Sequence, residues 1–198
     1  IPTDDANWKE LRSRDVTSTE VSALFDCNPY LTKFELFHRK KNAMIVDIDE
    51  NERMKWGNRL QSAIALGIAD DNNWQVCEMK EYIRIPELRM GASFDYKIDG
   101  GMEDETPQGE AYNVLGLLEI KNVDSLAFKD GWIVGDDGIE APPHIEIQVQ
   151  VQLAVSEFPV AYIGALVGGN KVMIMKREPN KNVIEAIKSK VAQFWRMV

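Results

Sequence analysis

The sequence predicts a mixed α/β domain, a central sheet flanked by helices. Two patterns carry that expectation. Apolar residues recur at helical spacing towards both ends of the chain, and short β-rich runs bounded by Gly, Pro and Asn fill the rest. The resulting order is helices, three strands, a helix, two strands and a final helix. That order suits helices packed on a sheet rather than an all-α or all-β chain.

Each element has a local cause. Thr17-Ser18-Thr19-Glu20 opens a helix, because Thr17 and Glu20 stand at capping-box spacing. Pro29 stops that helix near Cys27-Asn28-Pro29. A short helix fits Lys33 to Lys41, and a long one fits Glu52 to Asn72. In the long helix Gly57, Gln61, Ile64 and Ile68 share one face, which turns Gln61 inward. Gln75 to Ile85 alternates loosely and reads as extended. Gly91 to Ile98 and Val114 to Lys121 read as a strand pair around an exposed loop, Gly100 to Asn113, rich in Gly and acid and containing Pro107. Pro142-Pro143 starts a helix running to about Ser156. Val160 to Val167 and Val172 to Lys176 form a hairpin across Gly168-Gly169-Asn170, and Asn180 begins an amphipathic helix to Trp195. With no repeat and no long linker, 198 residues read as one domain, 1–198.

The net charge of −9 argues against a protein coated all over in nucleic acid. Its distribution says more. Residues 95–146 hold thirteen Asp and Glu against three Lys and Arg, which leaves the rest of the chain near neutral. An acidic middle suits a site that collects divalent cations, and a local basic patch remains free to hold DNA. Much of the acid, such as Glu103-Asp104-Glu105 and Asp136-Asp137, reads as loop solvation. No apolar run approaches the roughly 20 residues that span a bilayer. No signal-peptide pattern is visible, although the chain begins at Ile1 rather than Met. The expected location is cytoplasmic. Cys27 and Cys77 lie far apart without CxxC spacing and read as reduced, partly buried thiols. His38 and His144 match no metal-ligand spacing.

Three signals carry chemistry: Asp95, the triplet Glu119-Ile120-Lys121, and the glutamine-rich helix Gln148-Val149-Gln150-Val151-Gln152. Residues i and i+2 of a strand point to one side, so Glu119 and Lys121 project together while Ile120 packs on the other face. Magnesium takes about six oxygens and usually draws only one or two carboxylates from protein. Asp95 and Glu119 supply two, and the Ile120 carbonyl supplies another oxygen. Lys121 beside them can orient or help deprotonate an attacking water, or stabilise charge on a phosphate. Taken singly, an E-x-K triplet is usually solvated charge, and Gln148 and Gln150 would be exposed or capping residues.

Taken together and in order, these segments resemble the YqaJ-type viral recombinase family, the lambda-exonuclease-like branch of the PD-(D/E)XK nucleases. Trp8-x-x-Leu11-Arg12 followed by Val16-Thr17-Ser18-Thr19-Glu20-Val21 is similar to that family's opening. Asn28-Pro29-Tyr30, Met54-Lys55-Trp56-Gly57, Gly91-Ala92-Ser93-x-Asp95, Leu117-Leu118-Glu119-Ile120-Lys121 and Pro142-Pro143-His144 through Gln148-Val149-Gln150-x-Gln152-Leu153-Ala154-Val155 follow in the family's order. Each motif alone is weak, whereas six in sequence are specific.

The resemblance implies a PD-(D/E)XK restriction-endonuclease-like fold and a 5′-to-3′ exonuclease. It would digest double-stranded DNA ends and leave 3′ single-stranded tails for phage-type recombination. Asp95, Glu119 and the Ile120 carbonyl would bind Mg²⁺, with Mn²⁺ able to substitute. Lys121 would position the hydrolytic water, and Gln148 would orient the site. Arg12 and Thr19 would hold the 5′-terminal phosphate, and Ser93 would contact phosphate beside the metal. A ring of three or four copies, a single-strand annealing protein as partner and a phage or prophage origin in a bacterial host are also implied.

One departure matters. Where the family carries a glutamate on the long helix, this chain has Gln61. Glutamine keeps an oxygen but loses the charge. It fits a variant that works with Asp95 and Glu119 alone, a substitution that traps DNA uncut, or a weakened nuclease that mostly binds DNA ends. The last is a distinct function, a DNA-end-binding module. An endonuclease of the restriction or Cas4 type ranks lower, because two cysteines are too few for the usual four ligands of an iron–sulfur cluster.

Overall fold

The chain's strands form a five-stranded sheet, a three-stranded sheet and two two-stranded ribbons, and Asp95 lies where the chain crosses from the three-stranded sheet to the five-stranded one. The computed structural model describes residues 5–44, 50–101, 103–105, 111–113, 115–136 and 138–198. In chain order it gives α1 (Asp5–Ser13), β1 (Val16–Thr17), a 3₁₀ turn (Val21–Phe25), α2 (Lys33–Lys41) and α3 (Glu52–Asn72). β2 (Gln75–Glu78), β3 (Tyr82–Ile85), β4 (Met90–Ser93), β5 (Tyr96–Gly100), β6 (Glu103–Glu105), β7 (Ala111–Asn113) and β8 (Gly116–Val123) follow. The chain ends with α4 (Ser125–Gly131), β9 (Ile133–Gly135), β10 (Gly138–Glu140), α5 (Pro143–Ser156), β11 (Val160–Val167), β12 (Lys171–Arg177) and α6 (Lys181–Met197).

The main sheet has the order β12-β11-β8-β5-β2, and a smaller one has the order β1-β4-β3. The main sheet is mixed: β8 and β11 run parallel, while β11–β12, β5–β8 and β2–β5 are antiparallel. Its central strand β8 alternates by face. Leu118 and Ile120 pack with Ile64, Ala65 and Ile68 of α3. Leu117 joins Val149, Val151 and Leu153 of α5 in the larger core. Glu119 and Lys121 therefore lie on the α5 side, as the period of a strand requires. The helical face read from Gln61, Ile64 and Ile68 holds, with Ile64 and Ile68 buried.

Helix starts follow the cap chemistry. Thr32 and Glu35 form a full capping box on α2. The side chain of Asn51 accepts from Met54 N at 2.9 Å at the start of α3, and that of Asp124 accepts from Ala127 N at 2.8 Å at the start of α4.

Several expectations change. The Thr17–Glu20 pattern does not open an α-helix. Val16 and Thr17 pair in parallel with Met90 and Gly91, and only a 3₁₀ turn follows. Half of the capping box survives, with Glu20 Oε2 accepting Thr17 N–H at 2.9 Å. Gln75–Ile85 and Gly91–Ile98 each split into two strands, one for each sheet. The acidic loop contains an antiparallel ribbon, β6 paired with β7, while Pro107 and Val114 lie outside the described residues. Cys77 is exposed rather than partly buried. Helices α1 and α4 and the β9–β10 hairpin had no reading from sequence.

Gly91 shows why the smaller sheet needs glycine at that point. A Cβ there would sit 2.4 Å from the Tyr82 hydroxyl. That hydroxyl donates to the fully buried Asp15 at 3.1 Å, and Arg84 pairs with the same carboxylate at 2.5 Å. A side chain at 91 would push the ring off a buried charge, a costly displacement.

Candidate active site

Asp95 stands at the corner where the chain leaves β4 of the small sheet and enters β5 of the main one. The β5–β8 ladder ends at the pair Tyr96–Leu118. Two residues further along β8, the Ile120 N–H has no partner on the β5 side and donates to Asp95 Oδ2 at 2.8 Å. The N–H and C=O of a strand residue point to the same edge, so the Ile120 carbonyl is directed into the same gap beside Asp95.

Glu119 is 4% exposed and saturated with donors. Its Oε1 accepts from Lys121 Nζ at 2.5 Å and from Gln148 Nε2 at 2.6 Å, and its Oε2 accepts from Gln152 Nε2 at 2.7 Å. Lys121 also donates to Gln148 Oε1 at 3.3 Å. Gln152 reaches the Ser93 carbonyl at 3.1 Å, which ties α5 to the end of β4. Gln148 and Gln150 are buried, not exposed. Gln150 turns away from the site, accepting from Asn180 N at 2.8 Å and donating to Glu178 O at 2.9 Å. Sequence reasoning left Gln152 without a role. The available signal was its i+4 spacing from Gln148, which places both amides on one helical face.

Arg12, Thr19, Gln61, Ser93, Asp95, Glu119, Lys121 and Gln148 line one cavity of about 400 Å³. Ile120 is the exception, since its side chain packs against α3 and only its backbone reaches the site. Asn58 and Glu78 also line the cavity and had not been singled out. The network behind the Arg12 end is ordered. Lys40 Nζ pairs with Glu20 at 2.8 Å and donates to the Arg12 carbonyl at 3.3 Å, while Asn28 Nδ2 donates to the Thr19 carbonyl at 2.8 Å. Asn28 of the Asn-Pro-Tyr segment thus fixes Thr19. A larger cavity, about 700 Å³, lies at the β9–β10 hairpin. Its Arg177 is already held by Glu146, and none of the predicted site residues lines it.

The electrostatics are those of two carboxylates crowded in a cleft. Burial first, and the Glu119 charge second, push the Asp95 carboxyl up to about 7; Lys121, the Ile120 N–H and a hydrogen bond from Gln61 pull the other way. Burial alone would lower the Lys121 ammonium, but the charges of Glu119 and Asp95 outweigh it and raise its pKa, so Lys121 is a cation. Burial lowers the Arg12 guanidinium, opposed by Glu20. Burial and then the Lys121 charge hold His144 below the ordinary histidine value, so its ring is neutral.

A pH dependence follows for the metal-free protein. The Asp95 pKa is raised in the fold, so its contribution to stability is fully present below the unfolded value near pH 4 and is lost as pH rises through about 7. In EDTA, urea unfolding should give a stability that falls between pH 4 and 7, with a shallower fall in Asp95→Asn. An unchanged slope in that variant would contradict the assignment.

The residues fit a hard divalent cation. Two carboxylates face one lysine, and their mutual repulsion is what a bound cation would relieve. The buried Ser93 Oγ has no hydrogen-bond partner in the structure, leaving an oxygen free at the cavity wall. Although Glu78 lines the same cavity, among the described residues no three His, Cys, Asp or Glu side chains are placed to hold one metal ion. The donor set is therefore the sparse one that magnesium accepts, completed by water.

The family model for the YqaJ-like viral recombinase domain matches residues 7–159. The uncharacterized protein YqaJ of Bacillus subtilis (strain 168) is 25% identical over 190 residues, covering 95% of this chain. This chain spans about half of that relative's length, 54%. Among solved structures, the alkaline exonuclease LHK-Exo from Laribacter hongkongensis superposes with a TM-score of 0.68 at 18% identity, over 97% of this chain and 91% of that one. LHK-Exo in complex with dAMP gives 0.69 at the same identity and coverage. A phage-related exonuclease from Haemophilus somnus 129PT gives 0.60 at 9% identity, over 96% of this chain and 97% of that one. These likenesses place the mixed sheet with its flanking helices in the PD-(D/E)XK-like fold. The matched segment takes in Arg12, Gln61, Asp95, Glu119, Lys121 and Gln148, and with it the chain belongs to the YqaJ-like viral recombinase family.

Proposed function

We propose that this protein is a metal-dependent exonuclease that shortens double-stranded DNA from its 5′ ends and leaves 3′ single-stranded tails for phage-type recombination. One observation carries the proposal. Arg12 and Thr19, to which the family resemblance gives the 5′-phosphate, and a carboxylate–lysine set, Asp95, Glu119 and Lys121, line the same cavity. The resemblance of the fold to LHK-Exo, named an alkaline exonuclease and solved with dAMP, supports the same reading.

Asp95, Glu119 and the Ile120 carbonyl would hold Mg²⁺, or Mn²⁺ in its place. Such an ion polarises the scissile phosphate and acidifies a bound water. The chain's own groups do the rest. Arg12 and Thr19 anchor the terminal 5′-phosphate and so set which phosphodiester reaches Lys121. Ser93 Oγ is free to donate to a phosphate oxygen. The cationic Lys121 stabilises developing charge and orients the water; a raised pKa suits those tasks better than proton abstraction. Gln148 and Gln152 hold Glu119 in place. Contacts to the sugar–phosphate backbone carry no sequence information, so little sequence preference is expected. A ring of three or four copies, a single-strand annealing protein and a cytoplasmic site of action complete the proposal. No helix among the described residues is long and apolar enough to cross a membrane.

The test compares linear duplex DNA, with and without 5′-phosphate, against a closed circle in Mg²⁺. The linear DNA should shorten, faster when phosphorylated, and the circle should persist. Cutting of the circle would mark an endonuclease instead.

A further inference from the structure

A second cavity, about 470 Å³, adjoins the first. The two share Thr19, Lys121 and Gln148. Thr19 lines the first cavity together with Arg12, and Lys121 and Gln148 both donate to Glu119. The remaining lining includes the rings of Tyr30, Trp132 and His144 and the apolar Pro29, beside the polar Asn28 and Arg53. Tyr30 is 79% exposed. Its backbone is nevertheless fixed: its N–H donates to Asn28 Oδ1 at 2.8 Å, and the same Asn28 amide is tied to the Thr19 carbonyl. The Tyr30 ring meets the neutral His144 edge-on, with centroids 6.2 Å apart. An ordered turn therefore presents a large ring to solvent at the mouth of a phosphate-handling cleft.

We propose that this cavity receives the base of the 5′-terminal nucleotide, the one about to be released, with Tyr30 as its stacking surface. The inference rests on the exonuclease reading. The terminal nucleotide carries one phosphate at the Arg12–Thr19 end and the scissile phosphate at Lys121. Its base hangs from the sugar that joins the two, and both Thr19 and Lys121 line the second cavity. Beyond those residues its lining supplies the rings of Tyr30, Trp132 and His144, with Arg53 the one further charged side chain, a surface on which a base can stack. Stacking tolerates any base, because every base has a π-face, and that suits an enzyme that must release whatever nucleotide comes next.

The test uses duplexes with and without a 5′-phosphate whose terminal nucleotide carries either thymine or no base (a tetrahydrofuran residue). End binding is followed by fluorescence anisotropy in Ca²⁺, for the chain as it stands and for Tyr30→Ala and Tyr30→Phe. The parent should bind the base-bearing end about tenfold more tightly. Tyr30→Phe should keep that preference. Tyr30→Ala, an exposed change that spares the fold, should bind both ends alike. No preference in the parent, or a preference that survives in Tyr30→Ala, overturns the inference. Failure of the two readings is separable: a parent that favours 5′-phosphorylated ends but ignores the base keeps its exonuclease assignment and loses only this subsite. A parent indifferent to phosphorylated ends loses both.

Discussion

Lys121→Met should lower nucleotide release from phosphorylated DNA ends by about 10²- to 10³-fold, the range typical for loss of one charge-stabilising donor. Methionine keeps most of the apolar stem and removes the ammonium that lies 2.5 Å from Glu119. The cost to folding should be modest. Removing one partner of a buried ion pair is severe when the other charge is left bare, but here Gln148 and Gln152 still donate to both Glu119 oxygens. Divalent-cation affinity should hold or rise, since a competing cation has left the site. The loss should therefore fall on kcat, with end binding and the melting temperature changed little. A variant that cuts at the parental rate would remove Lys121 from the chemistry.

Gln61→Glu should strengthen divalent-cation binding by about 10- to 100-fold, the scale seen when ligand-supporting groups of metal sites change. It should raise activity in limiting Mg²⁺ accordingly. Gln61 lines the cavity and hydrogen-bonds Asp95, so a carboxylate there would face the same cation. Without metal, the third carboxylate should repel Asp95 and Glu119 and lower stability; added Mg²⁺ should more than restore it. Mn²⁺ titration calorimetry and thermal melts with and without metal check both halves. If the parent binds ends without turnover and Gln61→Glu cuts, the parent is a disabled nuclease and behaves as an end-binding module. If the substitution leaves metal affinity untouched, Gln61 has no part in the metal site.

Periodicity made the chemical residues legible and left the framework around them hidden. The spacing of Gln61, Ile64 and Ile68 gave the inward face of α3, and the alternation of β8 gave Glu119 and Lys121 a common side. Both are local facts. The division into two sheets is not, because Gln75–Ile85 and Gly91–Ile98 each read as continuous β-rich runs. The break at Asp95 depends on partners far along the chain, Leu118 for Tyr96 and Val16 for Met90. The same non-local pairing overrode the Thr17–Glu20 cap, whose Val16 and Thr17 were drawn into a ladder. Burial of Gln148, Gln150 and Gln152 was equally invisible, because amides read as surface until buried partners such as Glu119 and Asn180 are in place. Arg12 was found through the family pattern. Nothing in its own neighbourhood marks the last turn of α1 as a cavity wall.

The most direct measurement is release of 5′-mononucleotides from a phosphorylated linear duplex in Mg²⁺. It would compare the parent, Gln61→Glu, and Asp95→Asn placed in each of those two backgrounds. Release by the parent or by Gln61→Glu, abolished in both backgrounds by Asp95→Asn, is the expected result. Release that persists without the Asp95 carboxylate, or no release from any of the four proteins, would contradict the assignment of this cavity as a metal-dependent exonuclease site.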